Sequence, residues 1–202
     1  IGNAGNSLDN LAGVICVDGD ANLAAPTSTL SASCDGTTIS NTLAVGDVLT
    51  IHDEGDATAN TYTLTATSLT RGALKINYST VETLNVNAGT GADTINVTNT
   101  AASVNTNIAT TDGGDTVTVT ATGASSNVTI TGDKNANTIT LTTTGANSVT
   151  LISAGAGADT LTQNGSGANS GVQWNGEADA DAIRIRAPDR AAAASSALRL
   201  AL

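Results

Sequence analysis

The chain has no Phe and no Met, one Trp (Trp174), two Tyr (Tyr62 and Tyr78), two Pro, two Cys and one His among 202 residues. Only 12% of the residues are charged, 18 acidic against 7 basic, for a formal net charge of −11. Each shortage excludes something. A nucleic-acid binder needs a positive face and aromatic platforms, and neither can be assembled here. No apolar run reaches the ~18 residues that signal a membrane-spanning helix. Catalysis through histidine would rest on His52 alone, and a His-rich metal site cannot be built. With three aromatic residues, any core must be filled by Val, Ile, Leu and Ala.

What is abundant is Thr (35 residues), Gly (21) and Asn (20). β-Branched residues at this density favour strands. The chain begins at Ile1 without any Met, which suggests an exported protein that has lost a secretion signal. In such a protein Cys16 and Cys34 are expected to form a disulfide. The alternative is a pair of buried free thiols.

The strongest signal is a 22-residue internal repeat. It runs through Asp93, Asp115, Asn137, Asp159 and Asp181; through Ile95, Val117, Ile139, Leu161 and Ile183; and through Val86, Ile108, Ile130, Ile152 and Trp174. Each repeat holds two short alternating runs, such as 83–87 and 94–98, separated by Gly, Asn, Asp, Ser and Ala. Alternation predicts strands with one face in and one out, and the linkers are turn-formers. One 22-residue unit cannot bury its aliphatic row alone, whereas stacked units can. The expected fold is all-β: a parallel β-solenoid of 22-residue coils, rising ~4.8 Å per coil.

Three segments are expected. Residues 1–60 fall outside the repeat and read as a β-rich cap tied by the Cys16–Cys34 bridge. Residues 61–186 form the solenoid, with Tyr62 and Leu64 placed one repeat ahead of Leu84 and Val86 as an imperfect first coil. Residues 187–202 form a short capping helix, with Asp189 as its N-cap, or an extended tail exchanged with another subunit. Thr118, Thr140 and Thr162 share one outward register. Asn77, Asn96, Asn127 and Asn164 begin Asn-x-Ser/Thr sequons and are candidate glycosylation sites.

The stretches Ala88-Gly89-Thr90-Gly91-Ala92-Asp93-Thr94-Ile95 and Ala154-Gly155-Ala156-Gly157-Ala158-Asp159-Thr160-Leu161 resemble the haemolysin-type (RTX) calcium-binding nonapeptide G-G-x-G-x-D-x-U-x. The resemblance spans about residues 78–186 and implies an exported β-roll or β-helix that holds calcium between stacked turns. Carried over, it makes Asp93, Asp115, Asp159 and Asp181 a candidate calcium edge. The pattern departs from the family because the motif recurs once per coil and not in tandem nonapeptides. Asn137 and Lys134 also replace the expected sequence in the third copy. The alternative role for these side chains is to cap turns by accepting backbone N–H groups.

No general acid–base pair is legible, so an enzyme is not expected. Segment 1–60 is rich in Asp and holds no Lys or Arg, while Arg184, Arg186, Arg190 and Arg199 crowd the C-terminal end. An acidic head and a basic tail suit head-to-tail association into a homopolymer. The expectation is an extracellular or cell-surface structural subunit of a filament, fibre or layer. The alternative is a calcium-dependent adhesin, or an RTX-like calcium-binding module of a larger secreted protein, that binds cell-surface glycans.

Overall fold

The computed structural model describes residues 1–2, 4–19, 27–34, 37–44, 46–177, 179–186 and 197–201. All regular structure in them is strand: β1 (Gly13–Asp18), β2 (Thr27–Cys34), β3 (Thr37–Ala44), β4 (Val48–His52), β5 (Thr61–Leu64), β6 (Ser68–Arg71), β7 (Leu74–Ser79), β8 (Thr83–Asn87), β9 (Thr94–Val97), β10 (Asn105–Ala109), β11 (Thr116–Val119), β12 (Asn127–Asp133), β13 (Thr138–Leu141), β14 (Val149–Gly155), β15 (Thr160–Gln163), β16 (Gly171–Asn175), β17 (Ala182–Ile185) and β18 (Ala197–Ala201). Two sheets dominate. One has seven strands in the order β18-β16-β14-β12-β10-β8-β4, and the other has nine in the order β1-β7-β6-β5-β9-β11-β13-β15-β17. From β8 to β17 the chain alternates between them and lays each strand in parallel on its equivalent from the previous coil. This is a β-solenoid with 22-residue spacing.

The aliphatic columns stand as the repeat requires. Val86 pairs with Ile108, Ile108 with Ile130, Ile130 with Ile152 and Ile152 with Trp174. Facing them, Tyr62, Ile95, Val117, Ile139, Leu161 and Ile183 form one continuous register. Side chains from Tyr62 to Leu161 in this column are at most 1% exposed. Burying each aliphatic side chain stabilises the fold by roughly 1.5–3 kcal/mol, so stacking supplies what a single coil lacks. Trp174 is fully buried and gives the column its bulkiest member.

The first coil differs from expectation. Tyr62 stacks on Ile95 and not on Leu84. The offset arises because β6 and β7 form an inserted antiparallel meander on β5, with β1 added in parallel to β7. The other strand of that coil is β4, whose Leu49 and Ile51 pair with Leu84 and Val86. The stacked register therefore begins at Val48, inside the stretch expected to be cap. Leu8, Leu69, Leu74, Ile76 and Tyr78 join the same buried core. The outer edge of β4 is bonded by the first residue, whose carbonyl accepts the His52 N–H at 2.6 Å.

Two further expectations are corrected. Cys16 is a free, exposed thiol, so the cap is not tied to Cys34 by a bridge. It sits at an outward position of edge strand β1, where alternation turns it away from the core. At the C-terminus the expected helix is replaced over 197–201 by β18, which adds to β16 in parallel within its own chain. The Ala-rich local preference yields there to an open strand edge that supplies a ready ladder of partners. Residues 187–196, including Asp189, lie outside the described residues. The β2–β3 hairpin packs along β14, β16 and β18, and Asn41 Nδ2 donates to the Ser125 carbonyl at 2.6 Å.

Candidate functional site

The acidic register lines one edge of the solenoid, where each coil passes from the seven-stranded to the nine-stranded sheet. Its geometry is uniform. The backbone N–H of Asp93 donates to Asp115 Oδ1 at 2.7 Å, that of Asp115 to Asn137 Oδ1 at 2.9 Å, and that of Asn137 to Asp159 Oδ1 at 2.7 Å. Asp159 N–H donates to Asp181 Oδ1 at 3.0 Å, and Asn60 N–H to Asp93 Oδ1 at 2.7 Å. Each side chain thus satisfies the amide of the ladder residue one coil earlier. Asn60 is an additional member, hidden from the 22-residue count by the inserted meander.

Asp93, Asp115 and Asp159 are 1% exposed, and the second oxygen, Oδ2, of each is buried without a hydrogen-bond partner. Burial pushes each carboxyl up to about 6, against the pull of the donated N–H. Neighbouring carboxylates add to the rise: Asp53 and Asp56 for Asp93, Asp93 for Asp115, and Asp181 for Asp159.

Calcium takes six to eight oxygen ligands. The ladder offers one carboxylate per coil, with one oxygen already committed to a backbone amide and an Asn in the middle. Among the described residues no three His, Cys, Asp or Glu side chains are grouped to hold a metal ion. In the ladder each of these side chains caps a turn by accepting a backbone N–H.

The opposite edge carries a second ladder, made of hydroxyls. Thr100 Oγ1 accepts the Gly123 N–H at 2.9 Å, Thr122 Oγ1 the Gly145 N–H at 2.8 Å, and Thr144 Oγ1 the Gly167 N–H at 2.9 Å. Ser126, Ser148 and Ser170 donate to the carbonyls of Gly123, Gly145 and Gly167, each at 2.7 Å. The turn holds Ser103, Ser125, Asn147 and Asn169 at φ between 52° and 57°, a left-handed conformation unusual outside Gly and Asn. A Cβ on Gly145 would come within 2.3 Å of the Gly123 carbonyl oxygen, so stacking demands glycine there. The signal was present in the sequence, since Thr, Gly and Ser recur at the same 22-residue interval.

A third cluster fastens the inserted meander. Arg71 Nε lies 2.9 Å from Asp53 Oδ2, and its Nη2 pairs with Asp56 and, at 2.7 Å, with Asp9. Asp53 is fully buried and also accepts from Tyr62 Oη and the Leu8 N–H, both at 2.6 Å. Burial pushes the Asp53 carboxyl up, opposed by these donors and by Arg71. Burial also acts on Asp56, but the amide and hydroxyl of Thr58 and the amide of Asn60 bring it down to about 2. The only sequence hint was position: Arg71 is the first basic residue after a long acidic stretch.

The sequons are scattered. Asn77 lies in β7 beside Cys16, Asn96 on the outer face of β9, and Asn164 just beyond β15, all half-buried. Asn127 is 4% exposed, and its amide donates to Asn105 Oδ1 at 3.0 Å and to the Asn41 carbonyl at 3.3 Å. That burial withdraws Asn127 from any glycan in the folded chain. No family model matches the chain, and no curated protein or solved structure matches it either.

Proposed function

We propose that this chain is an exported structural subunit that assembles head to tail into an extracellular filament, fibre or surface layer. The observation that supports it is the relation between the two outermost strands of the nine-stranded sheet. Among the described residues β1 and β17 each have a strand neighbour on one side only. Through the intervening pairings they run in the same direction, β6 alone being reversed. The β17 edge of one copy can therefore take the β1 edge of the next in parallel and continue the sheet. Open edges of this kind are templates for pairing.

Charge and apolar surface are complementary across that junction. At one end Ile185 is 53% exposed between exposed Arg184 and Arg186. At the other, Val14 is 65% exposed on β1, and a cleft lined by Val17, Val48 and Val81 is edged by Asp18 and Asp47. A heterologous contact of this type leads to an open filament.

The test is light scattering with electron microscopy across a concentration series. Growth into fibres that weaken with salt and with Ile185→Glu supports the reading. A chain that stays monomeric at high concentration overturns it.

A further inference from the structure

Outward positions of the nine-stranded sheet are more uniform than the fold requires. From β5 to β15 the strands read Thr-Tyr-Thr, Thr-Ile-Asn, Thr-Val-Thr, Thr-Ile-Thr and Thr-Leu-Thr. The inner residue of each triplet is core. The outer ones stack in register: Thr61, Thr94, Thr116, Thr138 and Thr160 in one row, and Thr63, Asn96, Thr118, Thr140 and Thr162 in the next. A third row follows with exposed Thr98, Thr120 and Thr142, whose N–H groups extend the same ladders.

The solenoid needs matched residues only on its inside. The seven-stranded sheet demonstrates this, because its corresponding outward row reads Thr50, Asn85, Asn107, Thr129, Leu151 and Gln173. Both outward faces accept β-compatible residues, and the mixed row on the seven-stranded sheet shows that strand formation alone does not impose threonine. The β2–β3 hairpin also packs against the seven-stranded sheet, leaving the threonine face clear of it.

We propose that this threonine face is an ice-binding surface, adsorbing to crystalline water. Rows on adjacent strands stand ~4.8 Å apart and alternate residues along a strand ~6.6 Å apart. The shorter distance lies close to the basic oxygen repeat of hexagonal ice, and the longer one gives the array a second regular direction. Threonine's stiff χ1 repeats the same arrangement of hydroxyl and methyl at each point. Methyls present apolar surface that water bridges in ordered cages, and hydroxyls anchor those cages to the protein.

The face carries no charge to impose its own hydration. Its rows end at Lys75 beyond Thr70 on one side and at Arg184 beyond Thr162 on the other. All three aromatic residues are buried, so no ring is available to stack on a sugar. This inference does not depend on assembly, since each copy presents the whole array.

The experiment measures thermal hysteresis and partitioning of the chain into a growing ice crystal. The wild type is expected to arrest ice growth and to enter the crystal. Thr118→Tyr and Thr140→Tyr are expected to reduce both readouts to buffer values while melting like the wild type. Thr129→Tyr, on the opposite sheet, is expected to leave both unchanged. A folded wild type without hysteresis or ice partitioning overturns the proposal. So does equal activity of the Thr140→Tyr variant, or retention on crystalline cellulose or chitin with no effect on ice.

Discussion

Asn137 Oδ1 accepts the backbone N–H of Asp115 at 2.9 Å, in the same position where a carboxylate oxygen serves the other coils. Its Nδ2 meanwhile donates to Asp133 Oδ1 at 3.0 Å and to the Asn135 carbonyl at 2.9 Å. Here the amide does the capping that Asp does elsewhere and leaves no buried oxygen unpaired.

Asp115→Asn is therefore expected to raise stability at neutral pH. It keeps the accepted N–H and removes a desolvated carboxylate. The gain is expected at about 1–2 kcal/mol, the scale of desolvating an incompletely paired polar group. Urea unfolding at pH 7.5 checks it, and a loss of stability would show that the charge itself matters.

The ladder also sets a pH dependence. Asp93, Asp115 and Asp159 titrate near 6 when folded against 3.8 for the ordinary carboxyl. Between those values the folded chain holds more protons than the unfolded one, so stability falls as pH rises toward 6 and then levels off. Asp56, held at about 2, acts in the opposite sense. Its contribution is present above 3.8 and is lost as pH falls toward 2. The melting temperature is expected to peak where these windows meet, at about pH 4, and the Asp115→Asn variant to show a shallower fall on the alkaline side.

Removing Arg71 is expected to be severe. Arg71→Ala leaves Asp53 and Asp56 buried beside each other without their cation, a situation that costs about 3–5 kcal/mol. Adding Asp53→Asn to that variant is expected to recover part of the loss. Denaturant midpoints of the single and double variants measure the coupling.

Thr100 tests the hydroxyl edge. Thr100→Val is nearly isosteric but deprives the buried Gly123 N–H of its acceptor, for an expected loss of about 1–3 kcal/mol. Thr131→Val, at an exposed outward position of β12, is expected to change stability by less than about 0.5 kcal/mol.

Chelation addresses calcium. With the ladder oxygens capping backbone amides, excess EDTA is expected to leave the melting temperature unchanged at neutral pH. A ligand that binds only the folded chain must raise its stability, so a drop on chelation would support a calcium edge.

Much of this architecture was legible because a solenoid converts sequence period into spatial neighbourhood. A constant interval between Val86, Ile108, Ile130 and Ile152 permits one stacking register, and alternation assigns the inner face. The same logic placed the acidic residues on one edge. Their chemistry was not legible: an Asp after Gly-Ala is compatible with metal binding and with turn capping, and only the fold shows which backbone amide donates to it.

The repeat, the strand faces and the uniform threonine rows follow from the order of residues, since they depend on spacing and side-chain alternation. The position of the first coil was settled by packing, because the inserted meander shifts Tyr62 onto Ile95 and breaks the period. Packing also settled the Arg71 cluster, the free state of Cys16 and the strand at 197–201. These depend on which distant groups meet in space, and local propensity carries no record of that.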